Sequence, residues 1–246
     1  MMQIPQQWSD ITLEQFIEYS KIDKDQGSYH FNSEALSILA DQPIEVIEEM
    51  DVDDMTRIIK ENKWCASEPS KRYKHEVLGL KLKPFNKLTL YEYIDLDYYF
   101  TSNYVTNLDK VCAICYRNTK VNEWGDEVWE PYEFDCTLRA EQFLDLPITD
   151  VYGLVHEFIK YRDSFLKNYE NLFSGDLDEA LSNEERAELS PDEIKDIEKE
   201  QSLAKWSWEQ TIYGLTNGDI TKSKAIGALP LIYVFNPLSM KKELDL

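Results

Sequence analysis

The residues best placed to do chemistry are Cys112 and Cys115, spaced as Cys-x-x-Cys. Thiols at that spacing bind zinc or cycle between dithiol and disulfide. A zinc site needs two further ligands, from a second Cys-x-x-Cys or a His-x-x-x-His. The remaining candidates, Cys65, Cys136, His30, His75 and His156, are scattered along the chain. A redox pair belongs at the start of a helix after a strand, whereas Cys112 and Cys115 fall inside a helical pattern with Val111 and Ile114, where a thiol behaves as a small hydrophobe. There is no Gly-x-Ser-x-Gly nucleophile elbow, and the eight glycines form no phosphate-cradling loop. With 47 Asp and Glu residues, carboxylate pairs arise by chance everywhere and single out no acid–base couple. The expectation is a protein that is not an enzyme, with no catalytic, metal or cofactor-binding set and no cofactor.

What remains is contact chemistry. Trp124, Trp129, Trp206 and Trp208 fall in a turn region or beside a charged stretch, where exposed tryptophans anchor interfaces. The same residue type also fills cores, and sequence alone leaves both readings open. Lys71, Arg72 and Lys74 open a basic run against the single Glu76 and form a secondary candidate patch for an acidic partner. The plain alternative is a hairpin whose charged edge discourages aggregation.

The elements that must carry these residues are mostly helical. One phrase occurs twice, as Ile11-Thr12-Leu13-Glu14-Gln15-Phe16-Ile17 and as Leu88-Thr89-Leu90-Tyr91-Glu92-Tyr93-Ile94. In each, the Thr hydroxyl accepts from the backbone N–H three residues on, while Gln15 or Glu92 reaches back to the Thr N–H, fixing a helix start. Short helices follow the first copy, with a break at Pro43. Val77, Leu78, Leu80 and Leu82 suggest a small β-element with a turn at Gly79. The stretch 121–134, with Trp124-Gly125-Asp126 at its centre, reads as a hairpin or packed loop. Val151, Leu154, Val155, Phe158, Tyr161, Phe165, Tyr169 and Leu172 mark one long helix reaching Phe173. Residues 174–200 hold eleven acidic and three basic side chains and no aromatic, a composition that buries little and suits a linker or solvated helix. The expected architecture is mainly α (α+β): a helical domain over 1–173 with a small β-hairpin element, an acidic linker over 174–200, and an aromatic helical module over 201–246.

Composition bounds the partners. The 246 residues carry a formal net charge of −21, which opposes binding to nucleic acid or anionic membranes. Aromatic content of 13% speaks for a folded chain. No apolar run is long enough to span a bilayer, and the start lacks a signal-peptide pattern, so the expected location is the cytoplasm.

Taken together, Trp8 with the first capped phrase, Ala35-Leu36-Ser37-Ile38-Leu39-Ala40 before Pro43, the second capped phrase, Leu144-Asp145-Leu146-Pro147, Lys205-Trp206-Ser207-Trp208 and Asn217-Gly218-Asp219-Ile220 resemble the small acidic tail-assembly-chaperone-like proteins of tailed-bacteriophage structural modules. The resemblance implies a host-cytoplasmic protein that keeps a tape-measure protein soluble while tail-tube subunits assemble, the helical body holding the tape measure and the C-terminal extension recruiting the tube. The rival it leaves standing is a virion component such as a head–tail ring or neck subunit. A homo-oligomer is open under either.

Overall fold

A computed structural model describes residues 4–132, 136–173 and 207–244. Among them the chain is mainly α with a small β element. The helices are α1 (Leu13–Lys21), α2 (Ser28–Ala40), α3 (Ile44–Glu48), α4 (Val52–Glu61), α5 (Leu90–Asn103), α6 (Leu108–Cys115), α7 (Thr137–Glu141), α8 (Gly153–Asn168), α9 (Glu170–Phe173), α10 (Ser207–Leu215), α11 (Ser223–Gly227) and α12 (Leu231–Glu243). Strands β1 (Glu76–Val77), β2 (Leu80–Leu82) and β3 (Tyr116–Arg117) form one antiparallel sheet, and β4 (Thr119–Val121) with β5 (Glu127–Trp129) a second. The acidic stretch 174–200 and Trp206 lie outside the described residues.

The chain forms two compact units: one from residues up to 85 together with 95–161, the other from 86–94 together with 162 onward.

In the first unit Thr12 builds the expected capping box, its hydroxyl accepting from the Gln15 N–H at 3.2 Å while Gln15 Oε1 accepts from the Thr12 N–H at 3.0 Å. That start turns Leu13, Phe16 and Ile17 inward. Trp8 packs edge-on against Phe16 and Trp64 and donates its indole N–H to the Ser67 carbonyl at 2.9 Å. Leu36, Ile47, Met55 and Ile58 make a satellite cluster beneath the short helices. β1 and β2 pair Val77 with Leu80, a two-residue turn that puts Leu78 and Gly79 at φ of 53° and 74°, the positive values such tight hairpins require. Cys112 and Cys115 are fully buried on α6 with Val111 and Ile114, and burial pushes the Cys112 thiol well up, first by desolvation and then by neighbouring Cys115. Both side chains pack there as small hydrophobes.

The long helix expected to Phe173 is shorter and broken. α8 begins at Gly153 and ends at Asn168, about 24 Å at 1.5 Å per residue. Upstream, Ile148–Asp150 is a tighter 3-10 turn. The Gly153 N–H goes to the Arg72 carbonyl at 2.8 Å, so its donor serves an extended neighbour rather than a preceding helical turn.

In the second unit Thr89 repeats the box. Glu92 Oε2 accepts from the Thr89 N–H at 2.8 Å, and the Glu92 N–H reaches the Thr89 hydroxyl at 3.4 Å. Its core is aromatic: Phe165 lies 5.3 Å from Tyr93 and 4.9 Å from Phe235 between ring centroids, and Tyr169 lies 5.3 Å from Phe235.

The repeated phrase is one half of a repeated structure. In the first unit Thr12 bridges Pro147, with Leu13 N–H to Leu146 C=O at 2.8 Å and Ile148 N–H to Ile11 C=O at 2.9 Å. In the second Thr89 bridges Pro230, with Leu90 N–H to Leu229 C=O at 3.0 Å and Leu231 N–H to Leu88 C=O at 2.9 Å. The turns on either side match too. Leu146 and Leu229 each donate to the carbonyl three residues back at 3.0 Å, and Asp150 and Tyr233 each donate to the bridging proline carbonyl at 2.9 Å. Pro147 and Pro230 both sit near φ −55°, as the pyrrolidine ring dictates. Each unit is thus stapled by a Thr-capped helix start paired with a Leu-Pro-apolar segment.

Candidate interaction site

The site is the β4–β5 hairpin. Alternating Thr119, Val121, Val128 and Trp129 supply strand-forming residues, and the ladder pairs Thr119 with Trp129, Lys120 with Val128 and Val121 with Glu127. The tip is set by Asn122. Its side-chain carbonyl accepts from the N–H groups of Trp124 at 3.0 Å and Asp126 at 2.8 Å, and its own N–H donates to the Asp126 carbonyl at 2.9 Å. Such side-chain-to-backbone closure holds a turn without a core. Gly125, at φ 86°, completes it.

This closed tip presents Trp124 to solvent, 83% exposed; Val121, exposed, shares one face of the hairpin with Glu127, and Val128, at 41%, shares the opposite face with Lys120. Within the hairpin itself Glu123, Asp126 and Glu127 outnumber its one basic residue, Lys120. Glu127 accepts from the Thr119 hydroxyl at 2.8 Å and pairs with Lys81 at 2.5 Å, which ties the free hairpin to β2.

The base of the hairpin is stiff. The Arg117 side chain is buried, donates to the carbonyls of Glu130 and Pro131, and lies 5.3 Å from the Tyr132 ring centre, within cation–π range. Glu130 accepts from Arg139 at 2.9 Å and Asn118 at 3.2 Å. Burial works against its charge, but the Arg139 hydrogen bond and charge hold its carboxyl below the usual range. Tyr132 donates to Asp95, whose carboxyl is raised chiefly by burial.

Of the residues singled out in the sequence, Trp124 and Trp129 share this hairpin, Trp124 exposed and Trp129 half-buried. Lys71, Arg72 and Lys74 lie on a separate extended segment. Their backbone is used structurally, Arg72 C=O by Gly153 and Lys74 N–H by Asp150 C=O at 2.8 Å, and the Lys74 ammonium pairs with the Asp150 carboxylate at 2.6 Å. Lys71 and Arg72 keep exposed side chains. Trp208 is half-buried in the aromatic core of the second unit, 5.8 Å from Tyr93 and 6.0 Å from Phe235, away from any tip or patch. Val121 and Val128 are exposed on opposite faces of the hairpin and were signalled in the sequence only by their strand alternation around the Asn122–Asp126 turn. Among the described residues no helix is long and apolar enough to cross a membrane. No protein family, curated protein or solved structure matches the chain.

Proposed function

We propose that this chain is a non-enzymatic protein-binding factor of phage morphogenesis, acting in the host cytoplasm as a tail-assembly chaperone for the tape-measure protein and tail-tube subunits. The observation that carries the binding role is Trp124, held bare at the tip of a braced acidic hairpin. The phage assignment rests on the repeated capped phrases and the Leu-Pro and Trp-x-Trp patterns. A tryptophan buried in a partner's pocket removes roughly 150–250 Å² from water, worth about 4–6 kcal/mol at 25 cal/mol per Å² before the costs of association. The flanking acids favour a basic rim on the partner and hasten encounter more than they add affinity. Such a small contact suits transient capture, as a chaperone needs, rather than a permanent ring. The test is affinity capture with the tagged full chain from infected-cell lysate, quantified by mass spectrometry against Trp124→Ala. Tail proteins retained by the native chain and depleted by the substitution support the reading. Equal recovery by both chains, or no tail protein with either, overturns it.

A further inference from the structure

β3 and β4 run on from one another, and along 116–121 the backbone groups point alternately to opposite edges. Arg117 faces β2, in register with Lys81 and two residues from the bond of Lys83 N–H to the Cys115 carbonyl at 2.8 Å. Asn118 faces β5, its carbonyl accepting from the Glu130 N–H at 3.0 Å, and Asn122 faces it too, donating to the Asp126 carbonyl at 2.9 Å. Lys120 lies between these two and bonds β5 through Val128. By the same alternation Thr119 and Val121 turn their N–H and C=O groups to the β2 side. β2 does not reach them, because it begins at Leu80, and Leu78 and Gly79 form the turn that joins it to β1. Among the described residues no group bonds the main chain of Thr119 or Val121. The N–H and C=O of both residues thus stand in one open row beside the exposed Val121 side chain, and such a row is a template for a further strand.

The row accepts an extended backbone, and Lys120 selects among those that offer one. Its side chain is exposed, shares a face with Val128, and enters none of the ion pairs among the described residues. A second copy laid antiparallel on the same row would set Lys120 against its own twin, and like charges directly opposite are destabilising. Lysine on an edge strand is a device against that self-pairing. A strand with Asp or Glu at the place opposite Lys120 meets an opposite charge instead, and β-branched residues on either side of the acid suit pairing with Thr119 and Val121. The chain's own 174–206 is a poor occupant, since no acidic residue there is flanked on both sides by β-branched ones. We propose that the β2-side edge of β4 takes up an extended segment of a partner protein as an added strand, with an acidic residue opposite Lys120 and β-branched residues opposite Thr119 and Val121. The proposal rests on the reading of the hairpin as the binding element and adds backbone pairing to the contact made by Trp124.

The probe is the capped peptide Ser-Thr-Val-Glu-Thr-Val-Ser, titrated into the isotope-labelled full chain and followed by amide chemical shifts. Saturable shifts and slowed hydrogen exchange are expected at the Thr119 and Val121 amides. Val121→Pro removes one outward donor and leaves the Lys120–Val128 pair intact, as proline on an edge can, and should weaken binding by about tenfold without lowering the melting temperature. Exchanging the peptide's Glu for Lys should weaken binding by about threefold or more, and Lys120→Glu should restore it; this charge swap tests the proposal even where the proline variant fails to fold. Trp124→Ala should leave the peptide's affinity unchanged. Loss of peptide binding with Trp124-dependent capture from lysate intact therefore refutes the added strand alone, and the reverse refutes the tryptophan contact alone. No saturable shift at the two amides, binding indifferent to Val121→Pro, or affinity that ignores the charge swap overturns the proposal. So does a Val121 amide already protected from exchange in the peptide-free chain, since the edge would then be occupied by 174–206 or by a second copy.

Discussion

Gly153→Ala should loosen the first unit by unseating the segment 70–75. A Cβ built on Gly153 falls 2.5 Å from the Arg72 carbonyl oxygen and 2.6 Å from its carbonyl carbon and its nitrogen. These are backbone atoms with no rotamer to escape into, so the segment must retreat by about 1 Å to reach ordinary contact. Overpacking of this kind costs about 1–3 kcal/mol. The retreat also breaks the Gly153-to-Arg72 and Lys74-to-Asp150 backbone bonds, both 2.8 Å, at about 1 kcal/mol each. Ala returns about 0.4–1 kcal/mol by restricting the unfolded chain, leaving a net loss of about 2–4.6 kcal/mol. With a urea dependence near 2 kcal/mol per M, the unfolding midpoint should fall by about 1–2 M. Hydrogen exchange should quicken at the Lys74 amide and stay unchanged in α12. A midpoint within about 0.2 M of the native chain, with Lys74 still protected, would refute the seating of this segment.

Trp124→Ala should leave the unfolding free energy within about 0.5 kcal/mol of native, as exposed positions do; a larger loss in urea denaturation would mean that the indole packs. Trp208→Ala should instead destabilise the second unit by about 1–3 kcal/mol, less than a fully buried aromatic because Trp208 is half-buried, and calorimetry on the full chain would register it. The His156 imidazole is held below its ordinary pKa, first by burial and then by Lys71, and its Nε2 is buried without a hydrogen-bond partner among the described residues. The folded state thus prefers the neutral ring, and that preference contributes stability above about pH 6.5, lost as pH falls through the lower folded value. Melting temperatures between pH 7.5 and 5.5 should fall more steeply for the native chain than for His156→Gln; parallel slopes would discount the ring.

Both helix starts were legible because a capping box is local: Thr12 with Gln15, and Thr89 with Glu92, declare themselves within four residues. The core role of Cys112 and Cys115 was legible for the same reason, from apolar neighbours at helical spacing. The partners of those caps were not. Thr12 meets Pro147 and Thr89 meets Pro230 across most of the chain, and the only trace in sequence is Leu-Pro-apolar occurring twice. The start of α8 was misplaced because Gly153 gives its N–H to Arg72, a tertiary bond that apolar periodicity cannot register. At the hairpin, the Trp124-Gly125-Asp126 turn was readable, but which tryptophans face water was not. Trp124 and Trp208 are the same residue type in similarly polar stretches, and only packing against Tyr93 and Phe235 separates them.

Quantitative mass spectrometry of this chain's peptides in infected-cell lysate and in purified virions separates a transient assembly role from a place in the finished particle. A chaperone should be abundant in the lysate and absent from particles. A fixed copy number per particle, six or twelve as cyclic symmetry would give, would contradict it and make the chain a ring or neck subunit.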